Sequence, residues 1–311
     1  MSEKEVVFGA GTPLGAAVVR YLAAEGRAVR AVVSDPTNAI QFLPPRVEIV
    51  KGNPLDLAIV ESACRDASTI YHCVLVRYHK WKEAAQSVMN NLLGHAIQTG
   101  MKFVFADPVY DSASYANNFD EQVLHAQEQG FTQVVVARFP QLYGPAIRNT
   151  LFDEVFDAIM ANKRAYWIGS LDVPRDFLYI DDAARACAAL GISPKAYGRK
   201  WDISGGTPIT GKQFIELVFK EAGKEPDIGI WRAGLLRLAG ILDYDSKEMV
   251  QLPYDYSKPM VLNGTDFNVW FPTFEYTPIQ VGLRDTLEWY KTFLKPHGLR
   301  EKYFPLTTLP P

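Results

Sequence analysis

Near the start of the sequence stands Glu5-Val-Val-Phe-Gly-Ala-Gly-Thr-Pro-Leu-Gly15, in which an apolar run passes directly into a glycine-rich segment. Residues 5–8 are typical of a buried strand, residues 9–15 of a tight turn, and the alanine-, valine- and leucine-rich residues 16–25 of a helix. A second strand is predicted at residues 28–33. Two parallel strands joined by a helix form a βαβ unit, which is the start of an α/β fold.

The same alternation of strands and helices continues to residue 138. Further strands are predicted at residues 47–50, 69–74, 102–106 and 133–138, and further helices at 55–64, 82–99 and 118–129. Six strands interleaved with helices predict a doubly wound parallel sheet of the Rossmann type, in which ligands bind at the carboxyl ends of the strands. We therefore assign residues 1–146 to a dinucleotide-binding domain, which part of residues 173–205 is expected to rejoin.

The pattern changes after Gly144-Pro145, and the second half of the chain is less regular. Helices are predicted at residues 151–162, 180–190, 211–222 and 281–294, between short strands and joints rich in proline and glycine. We expect residues 147–311 to form a smaller α+β lobe that binds the substrate.

Composition excludes several classes of protein. Of 311 residues, 48% are hydrophobic and 22% charged, as in ordinary globular domains, and the net charge of −3 supplies no cationic face for nucleic acid. The three cysteines, Cys64, Cys73 and Cys187, show no CxxC spacing, which favours a reducing compartment. The most apolar later stretch, residues 233–242, is short and contains Arg237, so no membrane segment is predicted and a cytoplasmic location is expected.

The glycine-rich turn is the strongest local signal. A strand that enters a helix through small residues lets backbone N–H groups and the helix dipole approach a pyrophosphate. Its spacing is GxGxxxG, with Thr12 where a GxxGxxG pattern has its middle glycine. The alternative is a tight strand-to-helix turn that binds nothing. We expect a dinucleotide to contact Gly9, Gly11, Thr12, Pro13, Leu14 and Gly15.

The residues after the second predicted strand bear on which dinucleotide is bound. An acid at this point accepts a hydrogen bond from the ribose 2′-hydroxyl of NAD, whereas a hydroxyl or basic group suits the 2′-phosphate of NADP. The sequence there is Val33-Ser34-Asp35. Because Ser34 can donate to a phosphate, we favour NADP(H) over NAD(H). Asp35, which precedes Pro36, is either a ribose ligand or a turn former.

Several stretches along the chain together resemble the extended short-chain dehydrogenases/reductases of the NAD-dependent epimerase/dehydratase family. They are Val7-Phe-Gly-Ala-Gly-Thr-Pro-Leu-Gly15, Ile70-Tyr-His-Cys73, Asn91-Leu-Leu-Gly94, Arg138-Phe-Pro-Gln-Leu-Tyr-Gly-Pro145 and Pro174-Arg-Asp-Phe-Leu-Tyr-Ile-Asp-Asp182. The resemblance implies further cofactor contacts at Asn53, Cys73, Val74 and Asn91. It implies that Tyr143 borders the nicotinamide, with a wedge between the two lobes as the alternative. Arg175 and Asp176 would bind substrate, or form a plain surface pair.

The family's catalytic set is a serine, a tyrosine and a lysine four residues after the tyrosine, and here the pattern fails. Tyr115 stands near the tyrosine position, but Phe119 occupies the lysine position and Asp107 or Pro108 the serine position. Without the lysine cation, a phenol with a pKa of about 10 is a poor base at neutral pH. The remaining candidates are Asp107, Tyr110 and Tyr115, each with a structural alternative: a turn residue, a core aromatic and a surface-loop residue respectively.

Three functions remain open on this evidence. The first is an atypical NAD(P)-dependent carbonyl reductase or alcohol dehydrogenase for a small organic substrate, and the second is a non-catalytic NAD(P)-binding sensor or scaffold. The third is a nucleotide-sugar epimerase or dehydratase. The five histidines show no paired spacing with each other or with cysteine, so no metal site is expected. A ring-bearing substrate is suggested by the aromatic residues Trp167, Trp201, Tyr254, Tyr256 and Trp270, with packing in the core as the alternative.

The resemblance also implies a homodimer in which the helices at residues 82–99 and 118–129 pack across a two-fold axis. Val88, Leu92, Val123 and Leu124 would line that interface, or else belong to the core of one chain.

Overall fold

The structure, a computed structural model, describes residues 4–74, 84–109, 118–147, 150–230 and 256–294. The proposed catalytic residues Tyr110 and Tyr115 lie outside these ranges, as does Tyr254.

Thirteen strands and ten helices are numbered here in chain order over the described residues. The strands are β1 (Lys4–Phe8), β2 (Ala28–Val33), β3 (Glu48–Lys51), β4 (Thr69–His72), β5 (Lys102–Pro108), β6 (Val134–Phe139), β7 (Gln141–Tyr143), β8 (Ala165–Trp167), β9 (Pro174–Arg175), β10 (Phe177–Tyr179), β11 (Arg199–Asp202), β12 (Ile209–Thr210) and β13 (Ile228–Ile230). The helices are α1 (Pro13–Ala24), α2 (Pro36–Ala39), α3 (Leu57–Cys64), α4 (Gln86–Thr99), α5 (Phe119–Glu128), α6 (Thr150–Met160), α7 (Ile180–Ile192), α8 (Gly211–Glu221), α9 (Thr265–Trp270) and α10 (Ile279–Leu294).

Seven parallel strands form the central sheet, in the order β11-β6-β5-β4-β1-β2-β3. This order reverses beside β1, as in doubly wound folds, so the predicted Rossmann-type sheet is confirmed. The inner strands are apolar on both faces because helices cover both.

The chain returns to this sheet after leaving it. Helix α7 packs along α1, and β11 extends the sheet beyond β6. Both elements lie within residues 173–205, the part expected to rejoin the first domain. The seventh strand was not predicted from the sequence, since three of its four residues are charged and only Trp201 is buried.

The rest of the second half forms a smaller α+β lobe with three two-stranded pairs, β7 with β10, β9 with β12 and β8 with β13. Strand β7 belongs by sequence to residues 1–146, but it pairs with β10 of this lobe. Its core is aromatic: the rings of Phe177 and Phe214 stack with centroids 4.2 Å apart, and those of Phe156 and Tyr290 at 5.0 Å. The same hydrophobic core continues into the first domain through Val7 and Val135.

Candidate functional site

The glycine-rich turn is closed by the side chain of Thr12. Its hydroxyl accepts a hydrogen bond from the Gly15 amide at 3.0 Å. The same hydroxyl donates toward two carbonyl oxygens, that of Gly9 at 2.8 Å and that of Cys73 at 3.1 Å. Thr12 is therefore the N-cap of α1, and Pro13 takes the first helical position, where its missing N–H costs nothing. For this reason α1 begins at Pro13, three residues before the predicted start.

Gly9 and Gly15 are required by close backbone contacts. A Cβ atom on Gly9, whose φ is +81°, would overlap the Cys73 carbonyl, and one on Gly15 would overlap the Gly9 carbonyl. The turn consequently holds β1, β4 and the start of α1 together with no space between them.

Gly11 differs from its two neighbours because the space beside it is open. A Cβ atom there would meet only the Val33 side chain, at 3.9 Å. Within the part of the chain that the structure describes, the amides of Gly11 and Leu14 have no hydrogen-bond acceptor. Two unpaired N–H groups at a helix N-terminus, beside a glycine that leaves room for a ligand, fit the pyrophosphate of a dinucleotide. Thr12 does not obstruct this space, since its hydroxyl is turned inward and the residue is 2% exposed.

The residues after β2 are available at the same edge of the sheet. Asp35 is exposed, and its carboxylate accepts a hydrogen bond from the Thr37 amide at 3.0 Å as the N-cap of α2. This contact supports the turn-former interpretation of Asp35. It leaves room for a further hydrogen bond, because a carboxylate accepts several. Ser34 is half-buried beside it.

The loop between β3 and α3 is held from the side by Asn91. The Asn91 amide nitrogen donates to the carbonyl oxygens of Pro54 at 2.9 Å and Leu55 at 3.0 Å. Asn53 folds the same loop, since its side chain accepts from the Leu55 amide at 3.0 Å. Both N–H groups of Asn91 are thus occupied by the loop, so Asn91 orders residues near the site rather than presenting a donor to a ligand.

The end of β4 is a rigid, apolar part of the site. His72 is buried against Phe103 and Phe105, and burial lowers its pKa to about 3, so the ring is neutral and accepts from the Val74 amide at 3.2 Å. Cys73 is 3% exposed and contributes its backbone carbonyl to the turn. A side-chain contact with the Cys187 thiol, together with burial, keeps the pKa of Cys73 well above its ordinary value.

Asp107 lies at the carboxyl end of β5, next to Pro108. The side chain is 24% exposed, and its Oδ2 atom is 3.9 Å from Nε of Arg138. Burial raises the pKa of Asp107 to about 7, more than the Arg138 cation lowers it. The carboxyl group therefore exchanges its proton near neutral pH, as a general acid or base requires.

Phe119, at the family's lysine position, is a core residue. It is 9% exposed, and its ring packs edge-on against Phe105 with centroids 6.2 Å apart. A lysine ammonium at this point would be buried among phenylalanine rings, so the local packing is built for an apolar side chain.

Tyr143 is packed in the core and does not wall an open site. It is 1% exposed, its ring contacts Tyr179 and Phe214, and a Cβ atom on Gly282 would lie only 2.7 Å from its hydroxyl oxygen. Burial raises the pKa of Tyr143 above its ordinary range, which leaves no acid–base role near neutral pH.

Arg175 and Asp176 point inward and fasten the segment at residues 256–264. Arg175, 2% exposed, donates to the Lys258 carbonyl at 2.9 Å and stacks over the Tyr256 ring at 4.4 Å. Asp176, 1% exposed, accepts from the Leu262 amide at 2.7 Å. The surface-pair alternative is therefore wrong, because neither side chain is at the surface. Their contact with substrate stays a prediction.

Sequence reasoning missed the partner of Arg138. Asp202 on β11 accepts from Arg138 Nη1 at 3.0 Å, and the two residues are in register across neighbouring strands. Arg138 begins one of the stretches that resemble the family, but Asp202 could have been found only by recognising β11 as the seventh strand.

The described residues hold neither a candidate metal cluster nor a candidate membrane-spanning helix. No cluster of three or more histidine, cysteine, aspartate or glutamate side chains there could hold a metal ion. No helix in those ranges has the length and hydropathy needed to cross a membrane.

The fold and the turn define a Rossmann-type α/β protein with a second, smaller lobe. The sequence model of the NAD dependent epimerase/dehydratase family matches residues 96–203, which confirms the resemblance drawn from the motifs. No curated protein sequence matches the chain.

Solved structures of that family share the fold over nearly the whole chain. UDP-glucose 4-epimerase of Thermotoga maritima, solved with UDP-glucose, has a TM-score of 0.72 at 18% identity and covers 94% of this chain and 99% of its own. dTDP-glucose 4,6-dehydratase of Bacillus anthracis, in complex with NAD, has a TM-score of 0.78 at 16% identity, covering 94% and 98%. UDP-glucuronic acid 4-epimerase of Bacillus cereus, with NAD and UDP-glucuronic acid, scores 0.73 at 17% identity, covering 93% and 99%. At identities this low, the similarity shows the fold alone.

Proposed function

We propose that this protein binds NAD(H) and catalyses hydride transfer at a hydroxyl-bearing carbon of a nucleotide sugar. The observation that carries the proposal is the open Gly11 face with the unpaired amides of Gly11 and Leu14 at the start of α1. Residues 1–146, with α7 and β11, would hold the dinucleotide, and residues 147–311 the substrate.

NAD(H) is favoured over the NADP(H) suggested by Ser34. The exposed Asp35 carboxylate stands next to Ser34 and would repel a 2′-phosphate, whereas it can accept a hydrogen bond from a ribose hydroxyl. Affinities for the two dinucleotides, measured side by side, test this choice. We expect NAD(H) to bind more tightly, with the preference reduced in Asp35→Asn, and a preference for NADP(H) would contradict it.

Asp107 would supply the proton transfer that the usual tyrosine–lysine pair cannot. A bound nicotinamide ring accepts or donates the hydride. In the direction of oxidation, the ionised Asp107 carboxylate takes the proton of the substrate hydroxyl as the carbon–oxygen double bond forms. In the reverse direction, the protonated group returns it. A group that titrates near pH 7 is suited to both.

The nucleotide-sugar class is supported by the comparisons and fits the chain better than a general carbonyl reductase. The similar structures described above are enzymes of nucleotide sugars, two of them solved with such a substrate. The aromatic residues from which a ring-bearing substrate was predicted give no support, because Trp167, Trp201 and Tyr256 are buried in the core.

A non-catalytic dinucleotide sensor is the second candidate. The observation that favours it is the burial of Phe119 against Phe105, which leaves no lysine cation at that place. A sensor would bind NAD(H) with the same turn but would show no turnover.

Turnover separates the two candidates. Protein loaded with NAD would be mixed with a panel of nucleoside-diphosphate sugars, and product would be followed by chromatography and reduced nicotinamide by fluorescence. We expect turnover with at least one member, reduced by roughly 100-fold in Asp107→Asn. Asp227→Asn, an equivalent change in an exposed pair with Arg164, serves as the control and should have no effect. Dinucleotide binding without turnover across the panel would favour the sensor.

A further inference from the structure

Three charged side chains stand side by side on neighbouring strands at one edge of the sheet. Asp107 on β5 is in register with Arg138 on β6, and Arg138 is in register with Asp202 on β11. Residues paired in this way present their side chains on the same face of a sheet. We call this row of alternating charges, Asp107–Arg138–Asp202, the charge ladder. Each of its side chains is about a quarter exposed, at 24%, 24% and 25% in that order.

The ladder is asymmetric. Arg138 donates to Asp202 with a nitrogen–oxygen distance of 3.0 Å, but its Nε atom is 3.9 Å from Asp107, too far for a hydrogen bond. Nε itself is buried and has no acceptor among the described residues. The guanidinium of Arg138 is therefore hydrogen-bonded to Asp202, and it acts on Asp107 electrostatically without a hydrogen bond.

The other charges that act most strongly on Asp107 among the described residues are already paired. Asp120 on α5 and Lys200 on β11 face it, and these two are joined at 3.1 Å. Both cations near Asp107, Arg138 and Lys200, are thus hydrogen-bonded to other carboxylates. Asp107 is left with no hydrogen-bonded cation of its own, so burial, helped by the like charges of Asp120 and Asp202, keeps its pKa raised.

We propose that Arg138, anchored by Asp202, is a positioning residue that sets the ionisation of Asp107. The ladder would perform for a carboxyl group what the lysine of the family pattern performs for tyrosine. The consequence for catalysis rests on the proposed function, whereas the electrostatic coupling itself does not.

Substitutions of Arg138 and of Asp202 should shift the pKa of Asp107 in opposite directions. Arg138→Met removes the nearby cation, so the pKa of Asp107 should rise by about one unit. Asp202→Asn removes a like charge and releases the guanidinium toward Asp107, so the pKa should fall. Arg138→Lys keeps the positive charge, so the pKa of Asp107 should stay close to its wild-type value. Arg164→Met removes the same charge from the exposed pair with Asp227 and should leave the pKa of Asp107 unchanged.

The titration of Asp107 would be read directly in the full-length protein. Protein labelled with carbon-13 at the aspartate carboxyl groups would be titrated by NMR, and the Asp107 signal identified by its loss in Asp107→Asn. The expected result is an upward shift in Arg138→Met and a downward shift in Asp202→Asn. Equal midpoints in the wild type and both variants, or shifts of the same sign, would overturn the inference. Should Arg138→Met fail to fold, Arg138→Lys and Asp202→Asn still decide, since Asp202→Asn must lower the midpoint.

The pH profile of turnover distinguishes this inference from the proposed function. If the acidic limb of kcat/KM moves with the NMR midpoint in each variant, Asp107 is the proton-transfer group and the ladder tunes it. Movement of the NMR midpoint with an unmoved rate profile would support the coupling and overturn the catalytic role of Asp107.

Discussion

Thr12 stabilises the turn at a position where a related glycine pattern has a glycine. Its hydroxyl contacts backbone groups of Gly9, Gly15 and Cys73, which belong to the turn, the first helix and the end of β4. The hydroxyl is thereby withdrawn from the side on which a ligand would lie. The pattern GxGxxxG therefore gives a turn that is closed on its protein side and open at Gly11.

Thr12→Val should destabilise the protein by about 1–3 kcal/mol, because the Gly15 amide loses its acceptor at a buried site while the side-chain volume is kept. Equilibrium denaturation with urea measures the effect. Thr12→Ser, which keeps the hydroxyl, is the matched control and should lose much less. Equal losses in the two variants would show that the methyl group, and not the hydroxyl, matters.

Asp107 should make stability depend on pH in a particular direction. Its pKa is about 7 in the folded protein and about 3.9 in an unfolded chain, so the folded state holds the proton more tightly. The stabilisation from that proton is complete below about pH 4 and is lost as the pH rises to about 7.

Asp107→Asn should therefore be more stable than the wild type at pH 8, by about 1–3 kcal/mol, and the two should converge below about pH 4. Urea denaturation across this range checks the sign. A variant less stable than the wild type at pH 8 would mean that the ionised carboxylate makes a favourable contact in the folded protein.

Strands and helices with a clear hydrophobic period were predicted well. The predicted helix at residues 180–190 appears as α7 (Ile180–Ile192), and the strand at 133–138 as β6 (Val134–Phe139). In contrast, β9 and β12 have two residues each, too few for a period to be read. The charge ladder was missed for a related reason, because it depends on the non-local pairing of β11 with β6.

The interpretation of single site residues succeeded where local geometry decides and failed where tertiary packing does. Gly9 and Gly15 follow from the turn alone. The inward orientation of Arg175 depends on residues 256–264, which lie more than 80 positions away, as its hydrogen bond to Lys258 shows. No local signal separates such a residue from one that faces substrate.

Helix α4 supports the adenosine side of the proposed site through Asn91. Asn91→Asp replaces the donor with an oxygen that repels the carbonyl groups of Pro54 and Leu55, so the loop between β3 and α3 should loosen. We expect hydrogen exchange of the Leu57–Cys64 helix to accelerate and NAD(H) to bind several-fold more weakly. Asn90→Asp, on the next residue of the same helix, is the control. Unchanged exchange in Asn91→Asp would remove the loop-ordering role.

The two lobes share one continuous core and should unfold together. The core cluster that contains Val7 and Tyr71 also contains Trp167, Phe214 and Tyr290, and α7 packs on α1. Five of the six tryptophans, Trp167, Trp201, Trp231, Trp270 and Trp289, lie in the second half of the sequence.

Tryptophan fluorescence should thus report mainly on the second half and far-ultraviolet circular dichroism on the whole chain. We expect the two urea transitions to coincide. Two separated transitions would show that the lobes are independent units, in spite of the shared core.

The homodimer stays a prediction. Val88, Leu92 and Val123 were candidates for its interface, but each is 0% exposed inside a single chain and so belongs to the intrachain core. The outer faces of α4 and α5 carry instead a network of amide side chains, in which Gln86 donates to Asn90 at 2.9 Å and to Gln122 at 3.1 Å.

The central claim is that the turn from Gly9 to Gly15 binds a nicotinamide dinucleotide, and calorimetric titration of NAD(H) into the purified protein tests it most directly. We predict saturable binding of one dinucleotide per chain, weakened at least about tenfold by Gly11→Ala, whose methyl group fits the protein but enters the ligand space. Gly94→Ala, a glycine of α4 with nothing within 4 Å of its added Cβ, should bind as the wild type does. No binding by the wild type, or equal affinity in the wild type and Gly11→Ala, would contradict the account.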